Sequence, residues 1–407
     1  MTEDTTRWGL IGAGMMGQEH MRNIALLPGA SVAAIFEPDA GMAAAAALLA
    51  PSAVFCPSVA ALLDQPLDAV LIASPNDLHV AQIEQVAAAG NLPILLEKPA
   101  FTDPADTARL AALMAQAAPI WVAMEYRYMP AIAGLIADAD AATGGVRMLT
   151  IREHRFPFLD KVGSWNRFNA RSGGTMVEKC CHFFDLMRVI LRDDPVRVMA
   201  SAAQSVNHRH ERIGGHQPDI WDNGYVIVDF KRGARAMLEL CMFAEGARYQ
   251  EQVTAIGPAG MIEAFLPGPT RFWPADLGPP PVARIVTSPR SPAAPRDHAV
   301  PVDPALLAAG DHNGATFYQH LRFQAAMRGE APVEVTLRDG WWAVAMGMAA
   351  QQSAITGRAV DIADCGFAPP PLAASDHSRD GDSSAQPSPP LISSANISAV
   401  TGPSVKP

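Results

Sequence analysis

The first constraint on the fold is a glycine-rich segment near the N-terminus. Residues 8–17 read WGLIGAGMMG, an apolar run that breaks into a G-x-G-x-x-G turn and is followed by residues that can form a helix. In a strand–turn–helix of this kind, Gly12 permits the tight turn, Gly14 lets a pyrophosphate approach the backbone, and Gly17 lets the helix pack close to the strand. The helix N-terminus supplies N–H groups for phosphates. Because such turns also occur without a nucleotide, the motif needs support from the rest of the chain.

Composition limits the classes of protein that remain. The 407 residues are enough for two domains, and 49% hydrophobic with 18% charged residues indicates a globular chain. A net charge of −10 argues against a nucleic-acid partner. No apolar run has the length of a membrane span, the first residues lack a signal-peptide core, and five cysteines do not make a disulfide framework. We therefore expect a cytoplasmic protein with no membrane or nucleic-acid partner.

Residues 7 to about 125 alternate apolar strands with helical segments. After the first strand, further strands are predicted at 31–36, 69–73, 93–96 and 120–123, with helices at 40–50, 81–89 and 103–117. Alternation of this kind indicates a parallel sheet with right-handed crossovers. We predict an α/β domain over residues 1–125.

From about residue 146 the pattern changes. Strand-like segments at 148–153, 196–205, 225–230, 236–243 and 250–257 have few helices between them. They predict an α+β domain with a largely antiparallel open sheet over residues 126–362.

Three other parts of the second half carry their own predictions. The proline-rich segment 266–304 is expected to be a surface excursion. Segments 314–328 and 341–356 are helical by period and are expected to pack back on the first domain. Residues 363–407 are Pro/Ser-rich without periodicity, which predicts a disordered tail.

Glu37 supports the nucleotide interpretation. It closes the predicted second strand, 20 residues after Gly17. An acid at this place can accept hydrogen bonds from both ribose hydroxyls of NAD and would repel the extra phosphate of NADP. The alternative is a strand-end acid that faces solvent.

Two short motifs follow the third and fourth strands. They read SPNDLH at 74–79 and EKP at 97–99. Loops at the carboxyl ends of parallel strands form the ligand crevice, so both are expected beside the dinucleotide. Lys98 has an ordinary pKa of about 10.4, which a cationic nicotinamide would lower toward useful base strength. The alternatives are that Asn76 caps a helix, that His79 packs in its first turn, and that Lys98 is a solvated surface lysine.

The ordered set of motifs resembles the glucose–fructose oxidoreductase/inositol dehydrogenase (Gfo/Idh/MocA) family. Beyond EKP it continues through MEYRYMP at 124–130, SGGT at 172–175, HFFD at 182–185 and DNGY at 222–225, and covers about residues 7–362. The resemblance implies an N-terminal Rossmann domain and a C-terminal α/β domain whose sheet often mediates oligomers. It also implies NAD(P)-dependent oxidation or reduction of a carbinol. We expect NAD rather than NADP, a sugar or polyol substrate, and a homo-oligomer, dimer or tetramer.

The resemblance places the catalytic lysine at Lys98 and the acid–histidine pair at Glu178 and His182. Four residues apart, the pair would share one helix face. The ordinary pKa of His182, about 6.5, suits sharing a proton with Lys98. Family members more often have Asp at the acid position. Residues 175–178 also fit a capping box, in which Glu178 would turn back to the helix start.

The remaining site predictions concern cofactor and substrate contacts. The cofactor-binding residues that the motifs and the resemblance imply are Gly12, Gly14, Met15, Met16, Gly17, Glu37, Ser74, Pro75, Asn76, His79, Glu97 and Lys98. Substrate contacts are expected from Arg127, Trp165, Arg167 and His182, with Asp185 orienting the histidine. Arg127 could instead form an ion pair at the domain junction.

No metal is expected. Adjacent Cys180 and Cys181 would diverge by about 100° on a helix, and no second Cys/His cluster has zinc spacing. The first functional hypothesis is a hydride-transferring dehydrogenase. The alternatives are an NAD-dependent redox glycosidase with transient sugar oxidation and a non-catalytic NAD- and sugar-binding regulator. Retention of Lys98 and His182 argues against the regulator.

Overall fold

The computed structural model describes residues 5–115, 118–291 and 293–369. The first half is an α/β domain whose six parallel strands have the order β3-β2-β1-β4-β5-β6. The strands are β1 Thr6–Ile11, β2 Ala30–Phe36, β3 Val54–Phe55, β4 Ala69–Ile72, β5 Ile94–Leu96 and β6 Ile120–Val122. The helices are α1 Met15–Ile24, α2 Ala40–Leu49, α3 Val59–Leu63, α4 His79–Ala89 and α5 Thr107–Met114. The predicted parallel-sheet fold is confirmed.

The apolar content of the central strands explains this arrangement. All four residues of β4 are fully buried, as are Leu10 and Ile11 of β1. Strands buried on both faces read as continuous apolar runs, and helices cover the two faces of the sheet. The order of the strands reverses between β1 and β4, so the loops after these two strands open a crevice at their carboxyl ends.

One helix of the first domain is shorter than predicted. Residues 104–106 form a 3₁₀ turn, and α5 runs only from Thr107 to Met114. The Asp103 side chain accepts a hydrogen bond from the Ala105 N–H and so caps the turn. Residues 116 and 117 of the predicted helix lie outside the described residues.

The second half contains a nine-stranded sheet of order β14-β13-β12-β11-β7-β10-β9-β8-β15. Only β7 and β10 pair in parallel, so the predicted, largely antiparallel sheet is confirmed. The strands are β7 Met148–His154, β8 Pro195–Ala203, β9 Asn223–Phe230, β10 Arg235–Cys241, β11 Glu251–Gly257, β12 Gly260–Leu266, β13 Arg284–Pro289, β14 Arg296–Ala299 and β15 Val360–Asp361. The helices are α6 Pro130–Thr143, α7 Asn169–Ser172, α8 Thr175–Glu178, α9 Cys181–Leu191, α10 Pro304–Ala309, α11 Ala315–Met327 and α12 Leu337–Thr356.

The prediction of a surface excursion over 266–304 is wrong in part. Strands β13 and β14 extend the sheet within this segment, and α10 begins at its end. Strand β14 lies at the edge of the sheet, and β13 pairs with both β12 and β14. The one proline of these two strands, Pro289, is the last residue of β13, where it disturbs the ladder least. Strand β12 was also not predicted, although its hairpin with β11 leaves only residues 258 and 259 between the strands.

The last two long helices pack between the two halves. In α11, His320 forms a 2.9 Å hydrogen bond with His20 of α1, and Phe323 contacts the Trp8 ring of β1. Helix α12 begins with a capping box between Thr336 and Asp339. Residues 370–407, most of the predicted tail, lie outside the described residues. Among the helices that the structure describes, none is both long and apolar enough to cross a membrane.

Candidate active site

A cavity of about 700 Å³ lies at the carboxyl ends of the parallel strands. Its lining comes from the glycine turn, the end of β2, the loops after β4 and β5, and a second-domain loop at 160–165. The predicted cofactor-binding residues that line it are Gly12, Gly14, Met15, Met16, Glu37, Ser74, Pro75, Asn76, Glu97 and Lys98. The crevice therefore forms where the sequence motifs place it.

The glycine turn fits a dinucleotide. A Cβ on Gly14 would meet nothing within 4 Å, so the backbone there is open on the cavity side. Gly12 has φ +93°, and a Cβ on it would lie 2.8 Å from the backbone of Ala73 and Ser74. A Cβ on Gly17 would overlap the Gly12 carbonyl oxygen, which explains the close packing of α1 on β1. No side chain caps α1, so its first N–H groups are left for a phosphate.

Glu37 lies on the cavity wall directly after β2. Its carboxylate accepts hydrogen bonds from the Ala13 N–H at 2.7 Å and the Asp39 N–H at 2.9 Å. These bonds fix the acid next to the glycine turn, and a carboxylate keeps further lone pairs for ribose hydroxyls. With Asp39 on the same wall, the position is unfavourable for a second phosphate.

The residues of the loop after β4 have two different roles. Ser74, Pro75 and Asn76 line the cavity, whereas His79 is fully buried and does not. The His79 ring bonds the carbonyl oxygens of Pro99 at 2.8 Å and Ser74 at 3.1 Å. We correct its predicted cofactor contact accordingly: His79 holds together the two loops that line the crevice.

A second, smaller cavity of about 110 Å³ adjoins the first. Four residues line both, namely Met15, Met16, Lys98 and Lys161. Lys98 comes from the end of β5 and Lys161 from the second domain, so two lysines from different domains flank the place where the cavities meet. The sequence predicted Lys98 but not Lys161.

Both lysines contact Glu178. Lys98 Nζ donates a 3.1 Å hydrogen bond to the Glu178 carbonyl oxygen, and Lys161 Nζ lies 3.0 Å from Glu178 Oε1. The Asn76 amide donates to the other carboxylate oxygen. Burial opposes ionisation of Glu178, but Lys161 and Lys98 lower its pKa to about 2. Burial would also lower the pKa of Lys98, yet the Glu178 carboxylate, above all, raises it above the ordinary value.

The capping alternative for Glu178 is wrong. Helix α8 has Gly174 at its N-cap without a side-chain hydrogen bond, and the Thr175 hydroxyl donates instead to the Trp221 carbonyl oxygen at 2.6 Å. Asn76 is likewise not a helix cap, since its amide bonds the Ser172 carbonyl oxygen at 3.0 Å. Both side chains serve to join the two domains at the crevice.

His182 lines the small cavity and is stacked on Tyr126, with ring centroids 4.1 Å apart. Burial and four nearby cations, Lys98, Lys179, His312 and Arg155, lower its pKa well below 6.5. The expectation of an ordinary histidine pKa is therefore wrong, and His182 is a neutral imidazole. Its Nδ1 is buried without a hydrogen-bond partner among the described residues.

Two of the predicted substrate contacts lie elsewhere. Arg127 Nε donates to Asp185 at 2.6 Å and its Nη1 to the Glu334 carbonyl oxygen at 2.9 Å, which matches the junction alternative. Asp185 accordingly holds Arg127 and does not orient His182. Arg167 is buried and forms ion pairs with Asp160 and Glu211. Neither Arg127 nor Arg167 is among the described residues that line the two cavities.

Trp165 does line the large cavity, in agreement with a role in the site. The Lys161 ammonium lies over the Trp165 ring, 4.3 Å from the ring centroid. The local backbone bends sharply here, with Gly163 and Ser164 both at positive φ. This bend directs the segment over the cofactor cavity from the second domain.

The small cavity also contains polar residues that sequence reasoning missed. His312 Nδ1 lies 2.7 Å from Glu19 Oε1 and 3.4 Å from Glu125 Oε1, and all three residues line the cavity. The two carboxylates raise the pKa of His312 to about 10 against the effect of burial, so it is an imidazolium. Glu125 follows β6 directly, and the rule that identified Lys98 could have found it. Glu19 and His312 meet only through folding.

The Glu97 carboxylate is hydrogen-bonded to the first of two buried histidines, His20 and His320. His20 Nε2 lies 2.8 Å from Glu97 Oε1, and His20 Nδ1 lies 2.9 Å from His320 Nε2. Burial would lower the pKa of His20, but Glu97 raises it, and burial keeps His320 neutral. The charged His20 therefore donates in both directions and fixes the Glu97 carboxylate beside Lys98.

Comparison with known families agrees with this geometry. Residues 6–125 match the model of the NAD-binding Rossmann fold of the Gfo/Idh/MocA oxidoreductase family, and residues 142–362 match its C-terminal alpha/beta domain. The chain belongs to the Gfo/Idh/MocA family. The first of these models describes an NAD-binding domain, so the cofactor is NAD, and Glu37 lines the cavity of this domain.

Three relatives show the range of proteins that this Gfo/Idh/MocA member is similar to. An inositol 2-dehydrogenase of Corynebacterium glutamicum is 36% identical over 271 residues, 66% of this chain and 76% of the relative. The rhizopine catabolism protein MocA of Rhizobium meliloti is 29% identical over 276 residues, 66% of this chain and 80% of the relative. A levoglucosan dehydrogenase solved with NADH and levoglucosan superposes with a TM-score of 0.72 at 20% identity, covering 88% of this chain and 99% of that one.

Proposed function

We propose that this protein is an NAD-dependent dehydrogenase that transfers hydride between the nicotinamide and a carbinol of a sugar or cyclitol. The observation that carries the proposal is the position of Lys98, which lies where the large and small cavities meet. A group at this place can reach both a nicotinamide in the large cavity and a carbinol in the small one. The inositol 2-dehydrogenase and levoglucosan dehydrogenase relatives act on substrates of this class.

Proton transfer falls to Lys98 and His182. NAD, when bound, would supply the hydride acceptor. Its cationic nicotinamide would act against the Glu178 carboxylate that raises the pKa of Lys98, so that a neutral Lys98 would accept the hydroxyl proton. The neutral His182 faces the same cavity. Lys179 and His312, which lie near His182, stabilise negative charge that develops on the carbinol oxygen. Glu178, held by Lys161 and Asn76, sets the position and charge of Lys98. The 160–165 segment lines the large cavity from the second domain.

The test is NADH formation from a panel of sugars and polyols by the wild type and by Lys98→Met. We expect the variant to lose about 10²- to 10⁴-fold in kcat while binding NADH normally. Lys231→Met is the matched control, because Lys231 is exposed in a turn far along the sheet from the cavities. Unchanged turnover in Lys98→Met would disprove the assigned role. Release of nitrophenol from aryl glycosides without net NADH would instead favour the redox glycosidase.

We also infer that the chain is a homo-oligomer that associates through the outer face of the nine-stranded sheet. This face exposes apolar side chains of β7 and β9, the two strands that flank β10: Met148 is 52%, Tyr225 57% and Ile227 42% exposed. Exposed apolar surface of this kind favours an interface. Light scattering of the wild type and of Tyr225→Lys with Ile227→Lys tests it. A wild-type monomer would contradict it.

A further inference from the structure

Most charged side chains of the small cavity lie within about 3 Å of a group of opposite charge. Besides Lys98, one side chain does not. Lys161 lies 3.0 Å from Glu178, Lys179 lies 2.8 Å from Glu153, and His312 lies between Glu19 and Glu125. Asp311 is bound by Arg271 at 2.6 Å. Arg155 is different, because its nearest carboxylate oxygen, on Glu153, is 3.8 Å away.

Arg155 nevertheless lies at a well-defined place. It directly follows β7, where its backbone N–H donates to the Cys241 carbonyl oxygen at 2.9 Å. Its Nε donates to the Phe156 carbonyl oxygen at 3.2 Å, and its guanidinium lies over the Phe156 ring, 4.3 Å from the centroid. Its side chain is only 13% exposed. The group is therefore fixed by contacts to Phe156 and does not swing freely into solvent.

The two terminal nitrogens of this guanidinium have no hydrogen-bond acceptor within the described part of the chain. Glu153 does not serve as one, because its nearest oxygen lies 3.8 Å from Arg155 Nη1, beyond hydrogen-bond distance. A guanidinium presents its N–H groups as a planar fork that matches a carboxylate in two parallel hydrogen bonds. These nitrogens are not among the fully buried polar atoms, and Arg155 lines the small cavity, so a ligand in the cavity can supply the acceptor.

The charges around Arg155 point to the sign of that ligand. Arg155, Lys98, Lys179 and His312 all act on His182 with positive charge. Carboxylates partner the last two within 3 Å, whereas Lys98 is reserved for the carbinol. Arg155, the cation that has no carboxylate within 3 Å, thus lines the same small cavity as Lys98 and His182. A neutral polyol would offer its terminal nitrogens no charged acceptor within hydrogen-bond distance.

We infer that the substrate is a sugar acid, a carbinol-bearing sugar derivative whose carboxylate binds the guanidinium of Arg155. This inference rests on the proposed dehydrogenase function and narrows its substrate class. Arg155 fixes one end of the molecule, and the acceptors Glu19 and Glu125 on the same cavity wall receive its hydroxyl groups. The carbinol to be oxidised then lies beside Lys98 and His182.

The kinetic experiment compares acids with their neutral counterparts. NADH formation is measured for D-glucuronate, D-galacturonate and D-gluconate against D-glucose, D-galactose and myo-inositol. We expect kcat/KM at least 10-fold higher for an acid than for its neutral counterpart. In Arg155→Met, kcat/KM for the acid falls about 100-fold, mostly through KM, with the neutral sugar changed less than about 3-fold. Arg155→Lys keeps the positive charge but not the planar pair of donors, so its kcat/KM for the acid should lie between the values of the wild type and Arg155→Met.

A binding experiment separates this inference from the proposed function. Titration of the NADH-complexed protein with D-glucuronate by calorimetry needs no turnover, and Arg155→Met should abolish the heat of binding. If no carbinol reduces NAD but the acid still binds through Arg155, the dehydrogenase proposal falls and the acid site stands. Arg209→Met is the matched control, since Arg209 donates only to the Ser205 carbonyl oxygen, outside both cavities.

Three results would overturn the sugar-acid inference. One is equal use of acids and neutral sugars by the wild type. Another is an equal loss for both classes in Arg155→Met, which would make Arg155 a structural counter-ion of Glu153. The last is a preference for sugar phosphates over the acids.

Discussion

Lys98 Nζ lies 3.1 Å from the carbonyl oxygen of Glu178, so a hydrogen bond joins the loop after β5 of the Rossmann domain to the last residue of α8 in the second domain. The same Glu178 carries a carboxylate that raises the pKa of Lys98. One residue of the second domain therefore sets both the position and the proton affinity of the lysine. The chemistry of the crevice depends on the two domains being docked.

Glu178→Gln should move the pH dependence of kcat/KM to lower pH. Lys98 has to be neutral to accept a proton, and the Glu178 carboxylate is the strongest influence that raises its pKa. The amide removes this charge while it can still accept the hydrogen bond from Asn76. The rising limb of the pH–rate profile measures the shift. Glu245→Gln, an exposed position, is the control, and an unshifted limb in Glu178→Gln would contradict the coupling.

The sequence was informative where function depends on local backbone form. Gly12, Gly14 and Lys98 lie at the carboxyl ends of strands, and each such position can be located once the strands are recognised. Arg155, Lys161 and His312 could not be located in this way. They reach the small cavity through the packing of loops that are far apart in the chain, and no spacing rule records that packing.

The same limit explains the errors. Arg127 and Arg167 follow motifs of the site, but which side of a loop faces the crevice depends on where Asp185 and Glu211 come to lie. Likewise, the pKa of His182 is set by cations from several elements. Strand β13 forms because β12 offers it a partner, and β14 then pairs with β13, which the proline-rich sequence of this segment does not indicate.

Gly14→Ala should separate cofactor binding from folding. A Cβ at this position meets no protein atom within 4 Å, so the apo protein should unfold at the same temperature as the wild type. The methyl group would instead stand where a pyrophosphate approaches, and the Kd for NADH should rise at least about 10-fold. Gly12→Ala is the contrast, because its positive φ and its 2.8 Å contacts predict a loss of about 1 to 3 kcal/mol in stability. Normal NADH binding by Gly14→Ala would contradict the phosphate site.

Arg127→Met distinguishes a junction role from substrate binding. It leaves the Asp185 carboxylate, which is 1% exposed, without its partner, and should cost about 3 to 5 kcal/mol of stability. Adding Asp185→Asn should restore a large part of this loss, as measured by chemical denaturation. The KM of the folded double variant should equal that of the wild type. A raised KM together with unchanged stability would instead show that Arg127 contacts the substrate.

Glu251→Gln should stabilise the protein at pH 8 and much less at pH 5. Burial, reinforced by the Glu153 carboxylate, raises the pKa of Glu251 from 4.5 to about 7. The unfolded chain ionises first, so the free-energy cost of burying this carboxyl grows as the pH rises above 4.5 and is complete above 7. Glutamine carries no such cost, and we expect a gain of about 1 to 3 kcal/mol at pH 8. Urea denaturation at the two pH values measures it, and an equal effect at both would show that Glu251 is ionised throughout.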